Sequence, residues 1–170
     1  MNPPIDISEE AGVRYLHFGS DWIQGAMRIR KPHALELAYT REMMAGLLLR
    51  DGLAADGAHW PRKVLIIGLG AASLARFVHH HLPHAKIRVV EIAPAVVAAA
   101  RQFFKLPTED ARFSVHIGCG AQFVLEHDET WDYVLIDGFD RNARAGVLDT
   151  EPFHPAVRAR LSARGIMAVN

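Results

Sequence analysis

Apolar positions along the chain fall into two alternating rhythms. Val64 to Ile67 is an unbroken apolar run between Lys63 and Gly68, which suits a strand buried on both faces of a parallel sheet. Ile87 to Val90, interrupted only by Arg88, has the same form, as does Val134 to Ile136; Phe113 to Ile117, with Ser114 and His116 between its apolar positions, reads as a further strand, and Gly165 to Val169 begins a fifth. Helices are predicted between these runs, over Leu74 to Leu82, Ala95 to Phe104 behind Pro94, Ala121 to Glu126, and from Pro152 to about Leu161. Upstream, Leu35 to Leu49 has helical period. Leu35, Ala38, Tyr39, Met43, Leu47 and Leu48 share a broad apolar face, with Glu36, Arg41, Glu42 and Arg50 outside it. Val13 to Phe18 and Trp22 to Ile29 read as short strands around Gly19, Ser20 and Asp21. Met1 to Ala11 is polar with two prolines and reads as a loose arm, and Asp51 to Pro61 as a connection rich in turn formers. The resulting expectation is an α/β chain: residues 1–50 form an arm, a small β hairpin layer and a first helix, and residues 51–170 form a mostly parallel sheet flanked by helices. Residues 1–50 lack the mass for a core of their own, so the two parts are expected to make one compact unit.

The chain has 170 residues, enough for one domain. Its 19 basic and 19 acidic side chains cancel, so no global field favours nucleic acid or an anionic membrane surface. The single cysteine, Cys119, excludes an internal disulfide and a cysteine-based zinc cage, and it fits a reducing cytoplasm. The opening MNPPIDISEE lacks the basic head and apolar core of a secretion signal, and no stretch approaches the roughly eighteen apolar residues of a membrane span.

Candidate chemistry concentrates at the ends of the predicted strands. Gly68 and Gly70 follow the first buried strand, and Ala71, Ala72 and Ser73 keep the next turn small, so the following helix starts with its amides pointing at a ligand. Glu91 ends the second strand, 91 − 70 = 21 residues after Gly70. That is about the separation at which the acid of a Rossmann unit meets ribose hydroxyls. The third glycine of the dinucleotide fingerprint falls at Ser73, which disfavours a pyrophosphate and suits an adenosine-sulfur ligand without phosphate. A plain βαβ turn, with the glycines serving only the bend and Glu91 solvated, would use the same residues.

The third strand also runs into a glycine turn, Gly118, Cys119 and Gly120, on the same carboxyl edge. Cys119 lines the pocket there or fills a small buried space. The fourth strand delivers Asp137, Gly138, Phe139 and Asp140. Two carboxylates at such a tip attract a cationic amine and raise one pKa toward a general base, or they simply cap a turn. Tyr39 is either core or site. His79, His80, His81 and His84 point in different directions on a helix end, so no metal site is expected.

These residues resemble the spermidine synthase family, the polyamine aminopropyltransferases, from about Val13 to Asn170. The resemblance rests on Trp22-Ile23-Gln24, on YTREMM, on VLIIG before the loop, and on Asp137-Gly138-Phe139-Asp140. It implies a Rossmann-like, S-adenosylmethionine-dependent methyltransferase-like fold and aminopropyl transfer from decarboxylated S-adenosylmethionine to an amine such as putrescine. It implies Asp137 as the base that deprotonates the amine, Asp140 and Tyr39 as amine-binding, and Glu91 on the ribose. Gln24 would lie along the co-substrate, with Gly68, Gly70, Cys119 and Gly120 around it. A cytoplasmic homodimer is expected. Departures are plain: the family's GGGDGG reads GLGAAS, placing Ala71 where an acid anchors the aminopropyl group; Cys119 replaces an acid near the adenine; one extra residue separates Tyr39 from Glu42; and Arg141 replaces a proline. The loss of the acid at Ala71 leaves two other expectations open, a methyltransferase using ordinary S-adenosylmethionine and a non-catalytic nucleoside-binding relic.

Overall fold

A computed structural model describes residues 3–49, 59–138, 146–149 and 152–170. The described residues form two sheets. The first is a three-stranded antiparallel sheet of β1 (Asp6–Glu10), β2 (Val13–His17) and β3 (Ile23–Arg28) in that order. The second has β4 (Lys63–Ile67), β5 (Lys86–Glu91), β6 (Phe113–Ile117), β7 (Trp131–Ile136) and β8 (Leu161–Val169), in the order β6-β5-β4-β7-β8. Every pairing in it is parallel.

Helices cover both faces of the large sheet, which is why its strands read as continuous apolar runs. On β4, Val64 and Ile66 face one core while Leu65 and Ile67 face the other, and all four are fully buried. The first core is closed by α2 (Ser73–His81) through Leu74, Ala75 and Val78, by α3 (Pro94–Phe103) through Val96, Val97 and Ala100, and by Leu16 and Met27 of the small sheet. The second is closed by Phe123 and Val124 of α4 (Gly120–Glu126) and by Phe153 and Val157 of α5 (Phe153–Ala159). Burying each large apolar side chain stabilises the fold by about 1.5–3 kcal/mol. Among the described residues no helix is long and apolar enough to cross a membrane.

Two expectations are corrected. The expected loose arm contains β1, which adds a third strand to the hairpin by pairing Asp6 with His17 through to Glu10 with Val13. The expected Leu35 to Leu49 helix is shorter: α1 spans Ala38–Ala45, followed by a 3-10 turn over Gly46–Leu49. At its start, Glu36 is drawn into a two-pronged ion pair with Arg28, and Arg41 donates to the carbonyls of Leu35 and Glu36 at 3.1 and 3.2 Å, which holds those residues out of the helix. At its end, the buried Tyr133 hydroxyl donates to the Met43 carbonyl, an acceptor of the helical ladder, and the last turn tightens.

Candidate active site

The ends of all five strands bring the site together at the carboxyl edge of the parallel sheet. The ladder continues one residue past β4, β6, β7 and β8, with Gly68 N donating to Val90 O (2.9 Å), Gly118 N to Glu91 O (2.9 Å), Asp137 N to Ile67 O (2.8 Å) and Asn170 N to Ile136 O (3.1 Å). In open α/β sheets this edge, next to the point where strand order reverses, is where ligands bind.

The turn after β4 is held in an unusual shape. Gly68, Gly70 and Ala72 all have positive φ, at 94°, 49° and 58°. For the alanine this conformation costs about 1–2 kcal/mol. The loop is braced from both sides. Leu69 N donates to Glu91 Oε2 at 2.9 Å and Ala72 N to Leu69 O at 2.8 Å. From α2 the guanidinium of Arg76, 1% exposed, donates to the carbonyls of Ala71, Phe104 (2.6 Å) and Pro32 (2.6 Å). No carboxylate is among these partners, and burial lowers the Arg76 pKa to about 10.

β3 lies over the loop. A Cβ on Gly25 would sit 2.6 Å from that of Ala71, and a Cβ on Gly70 would sit 3.1 Å from the Gln24 carbonyl. Ser73 Oγ donates to Ala26 O at 2.9 Å. The small sheet thus docks directly onto the glycine turn, and Gln24 arrives at it through its backbone. Ala71, 2% exposed, faces Gly25.

Glu91 is 7% exposed, and both of its oxygens are engaged: Oε2 by Leu69 N, Oε1 by Ala93 N at 2.8 Å. Burial raises its pKa, against the opposing effect of the amides of Ala93, Leu69 and Ile92. Beside it, Ile92 and Ile117 are 66% and 51% exposed. Both are apolar side chains left bare at the ends of β5 and β6, and sequence reasoning singled out neither.

Asp137 has the environment of a base. Tyr39 Oη donates to its Oδ2 at 3.1 Å, and Asn170 Nδ2 to its Oδ1 at 2.9 Å. Burial pushes its pKa from 3.8 to about 6, partly offset by the hydrogen bonds from Asn170 and Tyr39. The Tyr39 pKa is raised too, first by burial and then by the Asp137 charge. Tyr39 also packs against the core, while its hydroxyl reaches Asp137. The structure therefore joins Asp137 and Tyr39, which the sequence left apart, and adds Asn170, which it did not single out. Asp140 lies outside the described residues.

Cys119 is partly exposed at the position just before α4, where its carbonyl accepts from Phe123 N at 2.9 Å. Gly120 is buried against Ile67; a Cβ there would overlap the Ile67 side chain and sit 3.5 Å from that of Leu148. Its lack of a side chain lets α4 approach the sheet. His80 of α2 lies parallel on His33 at 4.0 Å, and His84, past the end of the helix, stacks on His59 at 4.9 Å. Among the described residues no group of three or more His, Cys, Asp or Glu is placed to hold a metal.

Residues 37–170 match the spermine/spermidine synthase domain family. A polyamine aminopropyltransferase of Neisseria meningitidis serogroup A is 38% identical over 168 residues, 99% of this chain and 61% of that protein. This chain thus spans about three-fifths of that relative. Among solved structures, a probable spermidine synthase from Corynebacterium glutamicum aligns with a TM-score of 0.79 at 18% identity, covering 97% of this chain and 59% of that one. Human methyltransferase-like protein 13 in complex with SAH aligns with a TM-score of 0.67 at 26% identity, covering 77% and 63%.

Proposed function

Since the chain belongs to the spermine/spermidine synthase family, we propose that it transfers an aminopropyl group from decarboxylated S-adenosylmethionine to an amine such as putrescine, with Asp137 as the base. The observation that carries this reading is Asp137 itself. It is a carboxylate beside the glycine turn, held by Tyr39 and Asn170, with its pKa raised to about 6. A base poised there is ionised at neutral pH and still basic enough to take a proton.

In the proposed step the amine nitrogen attacks the methylene carbon next to the sulfonium. A carbon–nitrogen bond forms, the carbon–sulfur bond breaks, and its electron pair stays on sulfur to give neutral methylthioadenosine. The proton lost from nitrogen passes to Asp137. The chain's own residues fit such a ligand. Glu91 keeps lone pairs for ribose hydroxyls beyond the amides it accepts, Ile92 and Ile117 present apolar surface for an adenine, and Gly68, Gly70, Gln24, Cys119 and Gly120 surround the approach. Asp140, three residues after the base in the sequence, is assigned to the cationic tail of the acceptor together with Tyr39. A cytoplasmic homodimer belongs to the same reading.

A second reading is supported by one feature, Ala71. The loop presents a methyl group, turned toward Gly25, where a carboxylate would repel the carboxylate of ordinary S-adenosylmethionine. The methyltransferase-like neighbour bound to SAH has the same fold core. Incubation with decarboxylated S-adenosylmethionine and putrescine, followed by chromatography, tests the first reading. Methylthioadenosine and an aminopropylated amine are expected, and form about 10²–10⁴-fold more slowly with Asp137→Asn. Tighter calorimetric binding of ordinary than of decarboxylated S-adenosylmethionine would favour methyl transfer instead.

A further inference from the structure

β7 and β8 are paired with a shift in register part-way along. Trp131 pairs with Leu161, an offset of 161 − 131 = 30, whereas Tyr133 pairs with Ile166 and Ile136 with Val169, an offset of 33. Three extra residues of β8 are therefore looped out between these pairs. Gly165 lies in this bulge and is packed tightly: a Cβ there would be 2.7 Å from Trp131 O and 2.9 Å from Ser162 N. The bulge is pinned by Ser162 Oγ, which donates to Asp132 Oδ1 at 2.7 Å. Asp132 Oδ2 in turn accepts the amides of Arg62 (2.8 Å) and Lys63 (3.1 Å) at the start of β4.

The shift decides what stands beside Asp137. Neighbouring residues of parallel strands lie about 4.8 Å apart with side chains on one face, so an offset of 30 would place Met167 there and an offset of 33 places Asn170. An odd shift also exchanges the faces of the strand. The observed outcome is the Asn170 Nδ2 to Asp137 Oδ1 hydrogen bond of 2.9 Å. Without the bulge the carboxylate would face a thioether.

We propose that Asn170 is a positioning residue for Asp137, set in place by the β8 bulge at Gly165, and that together with Tyr39 it fixes the carboxylate plane and holds it in the ionised form the reaction needs. Asn170 holds Oδ1 and Tyr39 holds Oδ2, so the carboxylate cannot rotate without losing both donors. The elements around it also carry Arg41 and Glu42 on α1, Lys63 on β4, Lys86, Arg88 and Glu91 on β5, Asp132 and Tyr133 on β7 and Arg164 on β8, but the groups that act on the Asp137 charge are the neutral donors Asn170 and Tyr39. The two neutral donors are thus what opposes desolvation of the charge.

The role rests on the base assignment above, so the test reads the carboxyl group directly as well as turnover. Asp137 is followed by carbon-13 NMR in aspartate-labelled protein, assigned by loss of its signal in Asp137→Asn. Asn170→Leu, which changes an exposed side chain, is expected to raise the titration midpoint of Asp137 by about one pH unit, the usual scale for losing a donor to a charged acceptor. Asn170→Gln, which keeps an amide, restores most of the shift. Gly165→Ala, remote from the site, moves the midpoint the same way with Asn170 still present. In turnover, the acid limb of the kcat–pH profile moves with the NMR midpoint. A folded Asn170→Leu protein with the parental midpoint and acid limb overturns the proposal. A shifted midpoint in protein that transfers no aminopropyl group upholds the positioning role and removes the base assignment.

Discussion

Gly68 lies flat against the backbone of Asp137: a Cβ on Gly68 would fall 2.6 Å from the Asp137 carbonyl carbon and 2.9 Å from Gly138 N. The same glycine has φ 94°, closed to ordinary side chains. The glycine turn and the candidate base are therefore in backbone contact, and each limits where the other can sit. Gly68→Ala meets both obstacles, backbone strain and a collision with main chain that cannot rotate away. Destabilisation by about 2–4 kcal/mol is expected from the strain and the forced displacement together, along with loss of nucleoside affinity. Urea denaturation with methylthioadenosine calorimetry checks both, and a variant with parental stability would show that the contact is loose.

Asp137 links stability to pH in a direction opposite to most acids. Its pKa is raised from 3.8 to about 6 by burial, so between those values the folded chain binds more protons than the unfolded one. Its contribution is fully present below about pH 4 and is lost as pH rises through about 6. Asp137→Asn removes that penalty. It is expected to be as stable as the parent near pH 4 and more stable by about 2 kcal/mol at pH 8, while slowing transfer by about 10²–10⁴-fold. Melting curves at the two pH values and steady-state kinetics with putrescine separate the effects. A parent whose stability is flat across this range would mean that the carboxylate is better solvated than its burial implies.

The large sheet was legible because burial on both faces leaves a visible trace: Val64 to Ile67 and Val134 to Ile136 are apolar at every position. β1 leaves no such trace. Its Asp6, Ser8, Glu9 and Glu10 are held by the backbone ladder to β2, and only Ile7 packs against the core. Tyr39 is legible as helical and apolar-facing, but that its hydroxyl reaches Asp137 depends on contact between segments 98 residues apart. Asn170 depends on the bulge in β8, and a register shift has no local signature beyond Gly165. Arg76 stands in an otherwise apolar helix face, which is a signal of a buried brace, but its three carbonyl partners come from three separate segments.

That brace is testable. Arg76→Met fills similar space yet leaves the carbonyls of Pro32, Ala71 and Phe104 without their donor. The lost hydrogen bonds outweigh the relief of an uncompensated buried charge if each left-over carbonyl costs about 1–3 kcal/mol. A net loss of about 2–4 kcal/mol is expected by urea denaturation. Arg76→Lys should rescue little, because one ammonium cannot fork to three acceptors. A methionine variant as stable as the parent would mean that desolvating the guanidinium cancels what its hydrogen bonds contribute.

Glu91 is the remaining acid of the edge, and its two oxygens already bind the turn to the start of α3 through Leu69 N and Ala93 N. Glu91→Gln replaces one acceptor by an NH₂ group that must face an N–H, so one amide loses its partner in a site 7% exposed. If the remaining lone pairs also accept ribose hydroxyls, the change weakens methylthioadenosine binding by about 1.5–3 kcal/mol, since the bonds lost are to a charged acceptor. That corresponds to roughly 10- to 150-fold in Kd. The 2′-deoxy analogue separates the two contributions. Parent affinity should fall when the hydroxyl is removed, whereas the variant should bind both ligands nearly equally. Equal losses for parent and variant on removing the hydroxyl would show that Glu91 serves the turn alone and that the ribose is held elsewhere.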